Sequence, residues 1–280
     1  MKLTFKFSVE DLIKDGRTTE VHLQQIISWL STLKDSRVPG ELQGELLALF
    51  LLSCDNDIEL TKKTIISHYH IKNSAPQLFD QRNLDRKDLK QAFQTFKLIY
   101  LPERIEGNNA VIYIKLRDTN YRNMEVIPTM KAALMLLDIE REDLPPSGIV
   151  YLIDMQGVGI MHILKIRIDS LMTYFKYLAD GMPAKFVGIH FLNGGFVTDK
   201  LIGMIKRFLL PHIMNRLHCH RPDYPRDELF KIIPKRNLPE ELDGDLGPEE
   251  ELCKETMALL DERKQYFEDE ERMRKNVALL

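Results

Sequence analysis

Phe186-Val-Gly-Ile-His-Phe-Leu-Asn-Gly-Gly-Phe196, continued by Val197-Thr-Asp-Lys-Leu-Ile-Gly-Met-Ile-Lys-Arg-Phe-Leu209, decides the fold of this chain. The first part reads as a buried strand that passes through a glycine turn into an oily helix. That helix carries Phe196, Val197, Leu201, Ile202, Met204, Ile205, Phe208 and Leu209. The stripe is wider than one core contact needs, and a helix of this kind closes an apolar cavity or lies on a membrane. No catalytic set of residue types stands beside it. The expectation is a protein that holds something greasy and does not transform it.

Composition fits that reading. The 280 residues are 44% hydrophobic and 29% charged, enough for a packed core. A formal net charge of −3 argues against a general nucleic-acid binder. Cys54, Cys219 and Cys253 form no disulfide framework and fit a reduced, cytoplasmic setting. The N-terminal residues are too polar for a signal peptide, and no apolar run reaches the ~18 residues of a membrane span. Lys2 excludes myristoylation, and the Val-Ala-Leu-Leu end offers no prenylation cysteine. Membrane contact is therefore expected to be transient and peripheral.

Outward from the deciding stretch, residues 1 to about 100 read as a helical domain. Val21, Leu23, Ile26, Ile27, Leu30 and Leu33 keep a helical period, and Pro39-Gly40 breaks it. Glu41 to Leu52 makes a leucine-rich helix. Asn56 or Asp57 caps the next, with Ile58, Thr61, Ile65 and Tyr69 on one side. Asp85 and Asp88 open a further helix that carries Leu89, Ala92, Phe93 and Phe96. From about residue 108 strands alternate with helices: strands at Val111–Leu116, Ile149–Ile153 and Phe186–Leu192, helices at Pro128–Glu140 and Ile163–Ala179, and a short strand at Leu217–His220. The alternation implies parallel crossovers in a sheet covered on at least one face. The acidic segment from Leu238 to Glu251 reads as a surface loop, and Leu252 to Val277 as a charged helix.

The chemical motifs are weak. Gly157-Val-Gly159 follows a strand, but His162 stands where a dinucleotide site needs a third glycine. A tight strand-to-helix turn explains the pair. In His218-Cys219-His220, alternation sends both histidines to one face, and further zinc ligands are missing; no metal or cofactor is expected. There is no Gly-x-Ser-x-Gly elbow, and His190, embedded in an apolar strand, reads as structural. No catalytic residue is assigned and the chain is not read as an enzyme. Between Lys200 and Arg236 nine Lys and Arg face three acids. This is either a solvated face or a patch for anionic headgroups, worth roughly 1 kcal/mol per basic residue.

Taken together, Ile189-His-Phe-Leu-Asn193, Ile205-Lys-Arg-Phe-Leu209 and Leu238-Pro-Glu-Glu241 with Gly244 resemble the CRAL-TRIO lipid-binding family, in an insect-like version of its tocopherol and retinaldehyde carriers. Glu45 to Lys63, Ala75-Pro-Gln-Leu-Phe79 and Arg82-Asn83 are similar to its helical N-terminal module, and Val111 to Asp118 to its first strand. The resemblance covers nearly the whole chain. It implies an α/β cage with a mixed, mostly parallel sheet (residues 101–246), preceded by an all-helical domain (1–100) and followed by a charged C-terminal helix (247–280).

It also implies site residues. The cage walls are Ile153, Val158, Tyr174, Leu178, Phe186 and Ile189. A mobile lid helix spans about Phe196 to Leu209 and presents Val197, Leu201, Ile202, Ile205 and Phe208. Lys185 and Arg216 match two basic positions that grip phosphoinositides in the tocopherol carrier, while Val187 and His212 stand where two more would be. The grip is then weaker, with Lys206 and Arg207 adding charge on the lid itself. Gly195 and Arg207 replace two prolines usual in the lid, and Gly195 loosens the approach to it. Ala48 and Leu51 replace arginines of the helical module. The implied partners are one hydrophobic ligand (a tocopherol, retinoid, carotenoid or related lipid) and a transient membrane surface, phosphoinositides included. The alternatives are a phosphatidylinositol-type exchange or sensor protein and an interaction scaffold.

Overall fold

A computed structural model describes residues 3–140 and 144–277 of the chain. Six helices come first: α1 (Val9–Lys14), α2 (Glu20–Thr32), α3 (Gly44–Ser53), α4 (Ile58–Ser74), α5 (Pro76–Phe79) and α6 (Lys87–Thr95). Their starts follow local chemistry. Ser8 and Asp11 form a reciprocal cap on α1, and the Asp57 carboxylate accepts the Leu60 N–H at the head of α4. Leu23, Ile26 and Leu30 of α2 turn inward as their period predicts, whereas Val21 and Ile27 face solvent.

The sheet follows, with strands β1 (Phe96–Tyr100), β2 (Asn109–Leu116), β3 (Gly148–Asp154), β4 (Lys185–Leu192) and β5 (Leu217–Cys219), in spatial order 1-2-3-4-5. β1 is antiparallel to β2; the other pairings are parallel. Between the strands run α7 (Val126–Met135), α8 (Ile160–Leu164), α9 (Ile168–Lys176), α10 (Phe196–Ile205) and α11 (Pro211–Met214), and after them α12 (Arg226–Ile232), α13 (Glu249–Glu262) and α14 (Lys264–Val277).

Both faces of the sheet are covered. One face, with Ala110, Ile112, Ile149, Tyr151, Phe186, Ile189 and Phe191, joins a core shared with the N-terminal helices, α7, α9 and the inner side of α10. The other, with Val111, Tyr113, Val150, Leu152 and Leu192, packs under Leu229, Ile233, Leu238, Leu242 and Leu252. This two-sided burial is why β2, β3 and β4 read as near-continuous apolar runs. Gly188 allows β5 to approach β4, because a Cβ there would lie 2.9 Å from the Arg216 carbonyl oxygen.

Four expectations need correction. Phe96 opens β1 instead of continuing α6, so Val111–Leu116 lies in the second strand, not the first. Ile163–Ala179 is not one helix: α8 stops at Leu164, α9 starts at Ile168, and a π-helical turn covers Tyr177–Gly181. The Lys165 ammonium occupies the break, donating to the carbonyls of Tyr121 at 3.1 Å and Met124 at 2.6 Å. The acidic segment is no plain surface loop. Leu238 and Leu242 are core residues, and Glu249 is fully buried, receiving hydrogen bonds from Lys97, Lys115 and the Tyr113 hydroxyl. Finally, the charged C-terminal helix is broken at Arg263, and α14 turns Glu270 and Arg274 inward against α4.

Candidate ligand site and lid helix

The segment expected to form a lid begins where β3 and β4 end side by side. Asn193 takes a positive φ of 51° and donates to the Asp154 carboxylate at 2.6 Å, which ties the end of β4 to that of β3. Gly194 follows, its N–H donating to the His220 carbonyl at 2.7 Å; a Cβ at this position would lie 2.3 Å from the Cys219 sulfur, so no larger residue fits. Gly195 caps α10 without any side-chain hydrogen bond, and open space surrounds it.

α10 ends at Ile205, short of the expected Leu209. Its inward side is Thr198, Leu201, Ile202 and Ile205, at the i, i+3, i+4, i+7 spacing of one helical face. Leu201, Ile202 and Ile205 join the apolar cluster that also holds Ile153, Val158, Tyr174, Leu178, Phe186 and Ile189. Val197 is half-buried. Phe208 lies past the helix, 51% exposed, and with Leu209, Leu210 and Ile213 faces Met172, Phe175 and Ala179 across a cleft of about 360 Å³. A second, deeper cavity of about 50 Å³ lies elsewhere, bordered by Tyr100, Ile149, Tyr177 and Met182.

Polar groups are few but placed within this interior. The Tyr174 hydroxyl donates to that of Tyr151 at 3.2 Å, and burial raises the Tyr174 pKa to about 12. The outward side of α10 is tied by an exposed ion pair, Asp199 to Arg221 at 3.0 Å. Apolar residues are exposed on both of the touching helices, Phe196 on α10 and Ile160, Met161 and Leu164 on α8.

The four basic residues expected to meet anionic lipid differ in their surroundings. Lys185 pairs with Asp55 at 2.7 Å. Arg216 donates to the Phe186 carbonyl and lies over the Phe186 ring. Lys206 and Arg207 are exposed at the end of α10, next to Phe208.

Sequence reading missed the company of His190. It stacks on His218 at 4.7 Å between ring centroids and on His220 at 5.2 Å, and its Nδ1 is 2.9 Å from His220 Nε2. The parallel register that sets His190 beside His218 was the available signal. Among the described residues, no group of three or more His, Cys, Asp and Glu is arranged to hold a metal ion. No described helix is long and apolar enough to cross a membrane.

The chain is similar to several known proteins. Residues 15–89 match the family described as "Pinta-like, UBA domain". The human alpha-tocopherol transfer protein-like protein (Homo sapiens) is 24% identical over 250 residues, which is 85% of this chain and 71% of that one. Rat clavesin-1 (Rattus norvegicus) is 29% identical over 121 residues, 42% of this chain and 34% of its own. The crystal structure of Sfh5 aligns with a TM-score of 0.48 at 12% identity, covering 81% of this chain and 88% of that one. Residues 94–244, more than half of the chain, match the CRAL/TRIO domain, and the chain belongs to the CRAL/TRIO lipid-binding family.

Proposed function

We propose that this protein carries one hydrophobic small molecule, a tocopherol, retinoid, carotenoid or related lipid, between membranes, with α10 as its lid. The observation that carries the reading is the two-sidedness of α10. Leu201, Ile202 and Ile205 share an apolar interior with the wall residues, while Phe196 and, just past the helix, Phe208 remain in water. α10 is capped at a glycine and tied outside by one exposed ion pair, so swinging it outward breaks few polar contacts. Outward movement would expose the inner stripe beside Ile160, Met161 and Leu164, which form an apolar surface suited to a bilayer interface. Lys206 and Arg207 would then meet anionic headgroups. The boundary expected at residue 100 moves to the start of β1, which pairs into the sheet: residues 1–95 serve as the helical module, 96–246 as the cage and 247–280 as the C-terminal helical segment, of which 278–280 lie outside the described residues.

A ligand that buries about 400 Å² of apolar surface gains on the order of 10 kcal/mol gross, much of it offset by ordering. Sites for such ligands occupy roughly 300–1,000 Å³. The Phe208–Ile213 cleft, about 360 Å³, is the natural beginning of that space, enlarged as the lid moves. The function is binding and exchange, without catalysis, in a cytoplasmic setting with transient membrane contact. A phosphatidylinositol exchanger fits less well, because Lys185 and Arg216 are engaged within the protein. Mass spectrometry of lipid extracted from the purified protein tests the reading. A neutral terpenoid or related lipid is the expected finding, a phospholipid would favour the exchanger, and no lipid together with no vesicle-to-vesicle transfer would reject both.

A further inference from the structure

Two buried polar atoms have no use in the interior described so far. His162 sits on α8, 5% exposed. Its Nδ1 accepts the Gly159 N–H at 3.0 Å, which leaves the ring proton of the neutral imidazole on Nε2. That Nε2 is shut away from solvent and has no hydrogen-bond partner. α8 touches α10, and α10 carries the second such atom. Thr198 is fully buried and its hydroxyl is also unpartnered.

An unpaired buried donor or acceptor destabilises the fold, so two of them on touching helices call for an explanation. Thr198 lies on the same side of α10 as Leu201, Ile202 and Ile205, the side that faces the proposed ligand. Nearby charges are already engaged: Lys165 with backbone carbonyls, Asp199 with Arg221. What remains is one N–H donor and one hydroxyl, which can hold a lipid oxygen by hydrogen bonds but bring no positive charge to offset an anion.

We propose that His162 Nε2–H and the Thr198 hydroxyl, carried by the touching helices α8 and α10, form the polar end of the ligand site and take a neutral lipid by a hydroxyl, ester or carbonyl oxygen. The assignment rests on the carrier reading and narrows it. Oxygen-bearing neutral lipids are favoured over pure hydrocarbons and over ionised fatty acids. A site built to hydrogen-bond an oxygen discriminates strongly against an analogue lacking it. It also makes the lid a reader of the ligand, since filling the site adds a contact that exists only while α10 is closed.

Two fluorescent probes that differ in one oxygen test this, pyrenyl-decanol and pyrenyl-decane, titrated into the full-length protein. Wild type should hold the alcohol about tenfold tighter than the alkane. Thr198→Val should erase most of that preference by weakening alcohol binding alone, and Thr198→Ser should restore it. Thr198→Val should melt at or above wild type, because it removes an unpaired hydroxyl. Equal binding of both probes by wild type and variant overturns the polar end and leaves the carrier reading standing. A parallel loss of both affinities in Thr198→Val would mean a packing role and also overturns it. If wild type binds neither probe, the carrier reading falls and takes the polar end with it.

Discussion

Lys72 Nζ lies 3.0 Å from Glu270 Oε1, across 198 residues of sequence, with both side chains almost wholly out of water. Arg82 donates to the other Glu270 oxygen and also reaches Asp138 at 2.7 Å, while Arg274 bonds Asp80 at 2.5 Å. α14 is thereby fastened to α4 and to the segment between α5 and α6. A charged helix that sequence alone presents as solvated is held by its charges facing inward.

Removing the shared carboxylate leaves three cations facing one another without it. Glu270→Gln should lower unfolding free energy by about 3–5 kcal/mol in urea denaturation, because breaking a buried pair strands the partners. The neighbouring cations hold the Glu270 carboxyl well below the usual carboxylate range. A depressed acid stabilises above its unfolded pKa, and that stability is lost as pH falls through the carboxylate range. Wild type should therefore lose stability on acidification below about pH 4.5 more steeply than Glu270→Gln. Parallel acid profiles would contradict the assignment.

Ile202 tests the lid. Ile202→Asp puts a charge on the inner stripe of α10, which is half-buried here and which the proposed opening would bring to lipid. Vesicle-to-vesicle transfer should fall about tenfold or more, while stability falls by no more than about 3 kcal/mol. Unchanged transfer would reject α10 as the gate.

Lys206→Glu with Arg207→Glu addresses the proposed headgroup contact. At about 1 kcal/mol per basic residue, association with vesicles containing phosphatidylserine should weaken more than tenfold at low salt. The effect should shrink in high salt, and binding to purely zwitterionic vesicles should stay as it was. Equal losses on both vesicle types would point to damaged packing instead.

The histidine stack predicts a pH dependence of its own. Burial first, then His218 and His220, push the His190 pKa down to about 4. Tyr224 closes the far side of His220, its ring 4.3 Å away. A histidine depressed in the fold binds its proton more readily when unfolded. Its contribution is thus present above about pH 6.5 and lost on the way down to about pH 4, on the order of 2 kcal/mol after solvent screening. His190→Gln should flatten the melting temperature across that window, and an unaltered slope would place the dependence elsewhere.

Much of the fold was legible because it is written in local periods. β2, β3 and β4 stand out as short apolar runs between glycine and proline turns, and α10 follows its glycine pair. β1 was hidden because Phe93 and Phe96 continue the helical spacing of α6, and only pairing with β2 turns Phe96 into a strand residue. The break at Lys165 has no proline or glycine to announce it; its cause is a set of carbonyls more than forty residues away in sequence. Thr198 escaped notice because a polar residue in an oily stripe counts against burial. Glu249, Glu270 and Arg274 escaped for the opposite reason. In a run of charges nothing local marks which one will be buried, since its counter-ions lie far off in the chain.

The fastening of α14 sets an order on how the molecule is made. Lys72 and Arg82 leave the ribosome nearly two hundred residues before the carboxylate that neutralises them. Until that helix arrives, the helical module carries two cations it cannot comfortably enclose, so its final packing waits for α14. The newborn chain thus has a late checkpoint, at which α14 completes the packing of α4 and of the segment around Arg82.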